Sequence, residues 1–258
     1  MWSLVPFAAI ALAFSELAFA AVVNVLFVGS SFTHGNSAPV LNFNSANVTD
    51  INETGYGGIP GIFKRIIDDH PDIGNDFNVI IEAVNGTNLA WHAANRAYLF
   101  SQMQWNVIVL QEDSTAPLSP SRGGNIITFS DGVAVIMSLI QNARPGPWCF
   151  RFARQMQDDL YASIYSQALA HSIQLARVGE SFMQAVAVGL ADSNPYDTTN
   201  ATIDLWSSTD HYRPSKCGSY LAALQIFFNI INIGAEDVPP GPGSASAQLS
   251  ISSASPNS

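Results

Sequence analysis

The chain alternates short unbroken apolar runs with stretches whose apolar positions recur at helical spacing. Val25-Leu26-Phe27-Val28, Val79-Ile80-Ile81 and Val107-Ile108-Val109-Leu110 are continuous runs, not alternating ones. Each is followed closely by a turn: Gly29-Ser30-Ser31, Asn85-Gly86-Thr87 and Gln111-Glu112-Asp113-Ser114. Strands covered on both faces of a parallel sheet read this way. Residues 148–154 read as a fourth strand. Residues 59–67, 89–103, 130–142 and 160–174 carry the helical period, with Pro60 near the start of the first, where a helix tolerates it. Residues 36–61 are polar and rich in Asn and Gly, the composition of a long surface loop. The strand–helix alternation predicts an α/β fold, a three-layer α/β/α sandwich with a mostly parallel sheet. Ligands of such open sheets bind at the carboxyl edge, where the turns lie.

Length and composition narrow the picture. A chain of 258 residues can bury a sizeable core in one domain, and 12% charged against 48% hydrophobic residues is the balance of a compact fold. Net charge is −10 and Lys and Arg form no basic stripe, so no nucleic-acid partner is expected. Residues 1–20 are largely apolar and end in Ala18-Phe19-Ala20, a small-x-small pattern suited to signal-peptidase cleavage. Glu16 leaves the run too short to span a bilayer comfortably. The expectation is therefore a cleaved signal peptide over 1–20 and a secreted, extracellular domain over 21–236, without stable membrane insertion. Residues 237–258 form a tail of Pro, Gly, Ser and Ala. Asn-x-Ser/Thr triplets at Asn47, Asn52, Asn85 and Asn200 fit a secreted chain. Cys149 and Cys217 could pair in an oxidising compartment or stay as two free buried thiols, and no metal-ligand spacing or cofactor is implied.

The turn at residues 29–33 is not the G-x-S-x-G elbow, because position 33 is Thr. Gly29-Ser30-Ser31-Phe32-Thr33 resembles the first block of the SGNH (GDSL-type) hydrolases in a Gly-x-Ser-Phe-Thr form. Leu110-Gln111-Glu112-Asp113-Ser114, Val178-Gly179-Glu180-Ser181-Phe182 and Pro214-Ser215-Lys216-Cys217-Gly218-Ser219-Tyr220-Leu221-Ala222-Ala223 resemble later blocks of one subgroup, in the same order along the chain. The resemblance implies a flavodoxin-like SGNH fold and an ester substrate, a small molecule or a polysaccharide carrying an acyl group. It implies Ser31 as nucleophile, Gly86 as an oxyanion donor through its backbone N–H, Gln111 as side-chain donor in place of the usual Asn, and Asp210 as the acidic member. Asn85-Gly86 reads equally well as a plain turn, and a glycan on Asn85 would crowd the cleft mouth.

One position departs from the pattern. The family's late Asp-x-x-His-Pro-Ser segment is here Asp210-His211-Tyr212-Arg213-Pro214-Ser215, with Arg213 where the His belongs. A serine hydroxyl needs a neighbour that accepts its proton and returns it to the leaving group. Imidazole does so, whereas guanidinium stays protonated. His211 on the same loop and His34 just after Ser31 are the candidate replacements. Two readings follow: a secreted serine esterase with an improvised base, and a protein that kept the fold and cleft, lost turnover, and binds a glycan or other small ligand.

Overall fold

The computed structural model describes residues 22–70, 73, 76–113, 115–143, 148–152, 157–194, 196, 203–211 and 213–231. The expected signal peptide, the C-terminal tail and the Asn200 triplet lie outside these residues. The sheet is six-stranded, in the order β2-β3-β1-β4-β5-β6. Its strands are β1 (Val23–Gly29), β2 (Thr49–Asp50), β3 (Phe77–Ala83), β4 (Val107–Gln111), β5 (Trp148–Phe152) and β6 (Gln174–Ala176). All paired neighbours are parallel.

The continuous apolar runs become strands because both faces are covered. Val25 and Phe27 join one cluster with Ile59, Phe63 and Ile67 of helix α2 (Gly58–Asp69), with Phe182 of α7 (Val178–Ala187) and with Phe227 of α8 (Lys216–Ile231). Leu26 and Val28 face the opposite way. They pack with Leu89 of α3 (Leu89–Asn95), Phe100 of α4 (Ala97–Gln102), Phe129 and Ile136 of α5 (Ile126–Ala143), and Ile164 of α6 (Gln157–Ala170). Successive side chains of one strand therefore feed two separate cores, which is the three-layer α/β/α sandwich.

Register positions the site. Gly29 pairs with Ala83, and Val28 with Leu110, so the turns after β1, β3 and β4 leave the sheet at one edge. The strand order also reverses around β1, which lies between β3 and β4. The crevice beyond the carboxyl ends at such a reversal is where open α/β sheets bind ligands. The nucleophile turn continues directly into α1 (Ser31–His34), a single turn of helix.

Four local features differ from the pattern-based expectation. The polar stretch before α2 contains the edge strand β2, and β6 follows α6; at two and three residues both are too short to show a period. The helix expected over 89–103 is broken into α3 and α4 at Arg96, whose side chain is drawn to Glu82 (Nε to Oε1, 3.0 Å) and lies over the Trp91 ring at 5.3 Å. Helix α5 begins earlier than expected, with Asn125 Oδ1 accepting Thr128 N–H at 3.1 Å as a cap. The Cys149–Cys217 bridge is not formed, since Cys217 is a free, exposed thiol on the first turn of α8 while β5 lies inside the sheet. Among the described residues no helix is long and apolar enough to cross a membrane.

Candidate active site

Three donors of the turn after β1 converge on one amide oxygen. Gln111 Oε1, at the end of β4, accepts from Ser30 N–H at 2.9 Å, from the Ser30 hydroxyl at 3.2 Å and from the Thr33 hydroxyl at 2.9 Å. Only glycine fits at position 29: an added Cβ would collide with Thr33 Oγ1 and lie 2.7 Å from Gln111 Oε1. Ser30 O accepts from Thr33 N–H at 2.9 Å and His34 N–H at 3.2 Å, which closes the one-turn helix α1. The two serines are thereby separated. Ser30 spends its hydroxyl on the scaffold, and Ser31, also buried, points its hydroxyl at another part of the chain.

This arrangement corrects the role expected of Gln111. Its Nε2 donates to Glu112 O, not toward an oxyanion beside Ser31. The reason is that Ser30 N–H can only donate, so the carbonyl end of the amide must face the turn. Glu112, buried next to it, accepts from Leu89 N–H (3.3 Å to each oxygen) and from Asp113 N–H at 2.6 Å, and so fastens the start of α3 to the end of β4.

The other half of the site is the loop before α8. Asp210 accepts from Arg213 N–H (Oδ1, 2.9 Å) and from the Arg213 guanidinium (Nη1 to Oδ2, 2.8 Å). Arg213 Nε in turn donates to Ser31 Oγ at 2.9 Å. The result is a chain Asp210–Arg213–Ser31 with the connectivity of an acid–base–nucleophile triad, its middle member a permanent cation. Fixing the guanidinium at both ends sets its plane and leaves it as a donor to whatever oxygen occupies the Ser31 position.

The two histidines are placed differently. His211 has its backbone in the left-handed region, φ 53°, and its ring lies against Tyr196 at 5.0 Å. Its loop turn, closed by His211 N–H to Ser207 O at 2.8 Å, leaves it off the Ser31 hydroxyl. His34 is buried three residues after Ser31, stacked on Tyr56 at 4.4 Å, with Nδ1 on Gly35 O and Nε2 without a hydrogen-bond partner. A carbonyl only accepts, so Nδ1 carries the hydrogen and Nε2 the lone pair. Burial lowers the His34 pKa and the nearby Arg213 charge lowers it further, against the raising effects of the Gly35 carbonyl and Asp50. Tyr56 is delivered by a loop wound around Asp50, which accepts from Asn52, Thr54 and Tyr56 N–H and from the Thr54 hydroxyl. Among the described residues no imidazole hydrogen-bonds to Ser31 Oγ.

Gly86 sits exposed in its turn with φ 71° and open space around a notional Cβ, consistent with the left-handed geometry of Asn-Gly turns. Asn88 caps α3 through Trp91 N–H at 2.8 Å. The structure thus joins Ser31, Asp210 and Arg213 through hydrogen bonds, places Gln111 behind them on Ser30 and Thr33, leaves His211 on Tyr196, and adds Glu112 and the buried His92 as neighbours that motif spacing did not single out. The described residues hold no group of His, Cys, Asp and Glu suited to a metal ion.

No family model matches the chain, and no curated protein matches it. Solved structures do. One is a protein described as a GDSL-like lipase from Parabacteroides merdae, at 13% identity and a TM-score of 0.60, covering 83% of this chain and 97% of that one. Another is a catalytic mutant of an acetylxylan esterase from Geobacillus stearothermophilus, at 13% identity and a TM-score of 0.56, covering 85% of this chain and 98% of that one. At such identity the likeness is one of fold alone, an α/β arrangement with a parallel sheet flanked by helices.

Proposed function

We propose that the crevice at Ser31 is the ester site of an SGNH-type esterase in which Arg213 fills the base position. In this reading the chain binds an ester- or carboxylate-bearing ligand, such as an acylated glycan, with slow or absent turnover. The observation that carries it is the hydrogen bond from Arg213 Nε to Ser31 Oγ at 2.9 Å, backed by Asp210 at 2.8 Å. A guanidinium that donates to the serine oxygen cannot take the serine's proton. It can hold an anionic or carbonyl oxygen by charge-assisted hydrogen bonds.

A second reading, a turnover-competent serine esterase, draws on one feature: His34 Nε2 carries a lone pair with no partner. Initial rates on 4-nitrophenyl acetate separate the two. Under the first reading the natural chain stays near background. Arg213→His then raises the rate by on the order of 10²–10⁴-fold, and adding Ser31→Ala removes the gain. Brisk hydrolysis by the natural chain, abolished by His34→Ala or His211→Ala, would overturn it.

The same reading makes the protein secreted, with the mature chain starting near Ala21 and exposed Asn47 available to carry a glycan, while Asn85 beside the crevice stays bare. Terminal sequencing of protein recovered from culture medium tests this, and an intact 1–20 segment there refutes it.

A further inference from the structure

His92 is fully buried on α3, outside the residues that meet at Ser31. Its Nε2 lies 3.0 Å from Gly29 O, the last carbonyl of β1, and 3.0 Å from Thr87 Oγ1. Gly29 O can only accept, so Nε2 carries the hydrogen. The Thr87 hydroxyl donates its own hydrogen to Val84 O at 2.8 Å, which leaves its oxygen to receive the same imidazole N–H. These hydrogen bonds all require a hydrogen on Nε2. On the other side of the ring, Nδ1 faces Glu82 Oε1 at 3.5 Å, and Arg96 Nε donates to that oxygen at 3.0 Å. Turning the ring over would set a C–H against Gly29 O, so the orientation is fixed.

This N–H bridges two segments that are otherwise joined here by the backbone bond from Val84 N–H to Gly29 O at 3.1 Å, and it extends that junction outward to Thr87. Gly29 leads directly into Ser30 and Ser31, and Thr87 follows Gly86 directly. We infer that His92 is a positioning residue: it ties the Ser31 turn to the Gly86 turn and fixes the spacing of the two walls of the crevice. The functional weight of that tie rests on the reading above, in which both turns face one ligand. The tie itself stands apart from it, since neither Arg213 nor turnover enters the geometry.

Amide hydrogen exchange on the otherwise natural chain tests the inference without activity. His92→Leu keeps much of the volume and removes the donor. His92→Gln places an N–H near the former Nε2. The expected result is faster exchange at residues 30–34 and 84–88 in the Leu variant, by about five- to tenfold, as for loss of one net hydrogen bond. Amides of β4 and α5 should be unchanged, and Gln should restore most of the protection. Equal protection in the Leu and natural chains would overturn the inference. So would Gln exchanging as fast as Leu, or faster exchange throughout the sheet in both variants, which would mark His92 as packing alone.

Discussion

The turn after β1 and the loop before α8 meet at the Arg213–Ser31 hydrogen bond but are held by different means. The turn is interior. Ser30, Ser31, Thr33, His34 and Gln111 are all buried, and one amide oxygen satisfies three donors at once. The loop is partly exposed, with Asp210 and Arg213 side chains each 22% accessible; its backbone is closed by bonds such as Ser207 N–H to Arg213 O at 2.7 Å, and its side chains meet in an ion pair three residues apart. Buried donors left without an acceptor cost far more than a screened surface pair returns. Changes in the turn should therefore appear in folding, whereas changes in the loop should appear in chemistry. A change of side chain at Arg213 should leave the fold largely intact, whereas the turn has no such latitude.

The sharpest way to break the contrast is at Gln111. Gln111→Leu strands the Ser30 N–H, the Ser30 hydroxyl and the Thr33 hydroxyl in the interior, and should lower unfolding free energy by about 2–4 kcal/mol in urea titrations. Gln111→Glu keeps one accepting oxygen but sets the other against Glu112 O, so its loss should fall below that of Leu only as pH drops and that oxygen takes a proton. Equal losses for the two at low pH would show that the acceptor is not what holds the turn.

Acid should act next, again through the turn. His34 has its pKa lowered below the ordinary 6.5, mainly by burial. The folded state therefore resists a proton that the unfolded chain accepts, so stability present above pH 6.5 declines as pH falls below it. Asp50 follows in a second step. Burial alone would raise its carboxyl, but hydrogen bonds from the Thr54 hydroxyl and from Tyr56, Asn52 and Thr54 N–H hold it below 3.8. Its contribution is present above pH 3.8 and is lost as pH drops through its lowered value. Urea midpoints across pH 3–8 should show both steps, and His34→Phe should flatten the first. A flat profile from 8 to 5 would contradict it.

The smallest stability effect is expected in the loop. Asp210→Ala removes a half-exposed pair and should shift unfolding free energy by at most about 1 kcal/mol. In the Arg213→His background it should still reduce kcat, because the imidazole loses its orienting carboxylate. A large stability loss without a kinetic effect would reverse the comparison.

Much of the fold was legible because β1, β3 and β4 are continuous apolar runs ended by turn residues, a pattern that few other structures accommodate. The edge strands β2 and β6 were not, being too short to show periodicity, and the break at Arg96 has no local signal in sequence, its side-chain partner Glu82 lying fourteen residues upstream on β3. At the site, Ser31, Asp210 and Arg213 stand out by motif spacing. The orientation of Gln111 does not, because an amide reads the same in sequence whichever end faces inward. His92 was invisible for a related reason: a single histidine on a helix announces neither its burial nor the carbonyl it meets.

Three donors held by one buried oxygen of Gln111 set the geometry of the Ser31 turn through folding, independently of whether the protein hydrolyses anything. A change confined to the Asp210–Arg213 loop, such as Arg213→His, would then meet a Ser31 turn already in place.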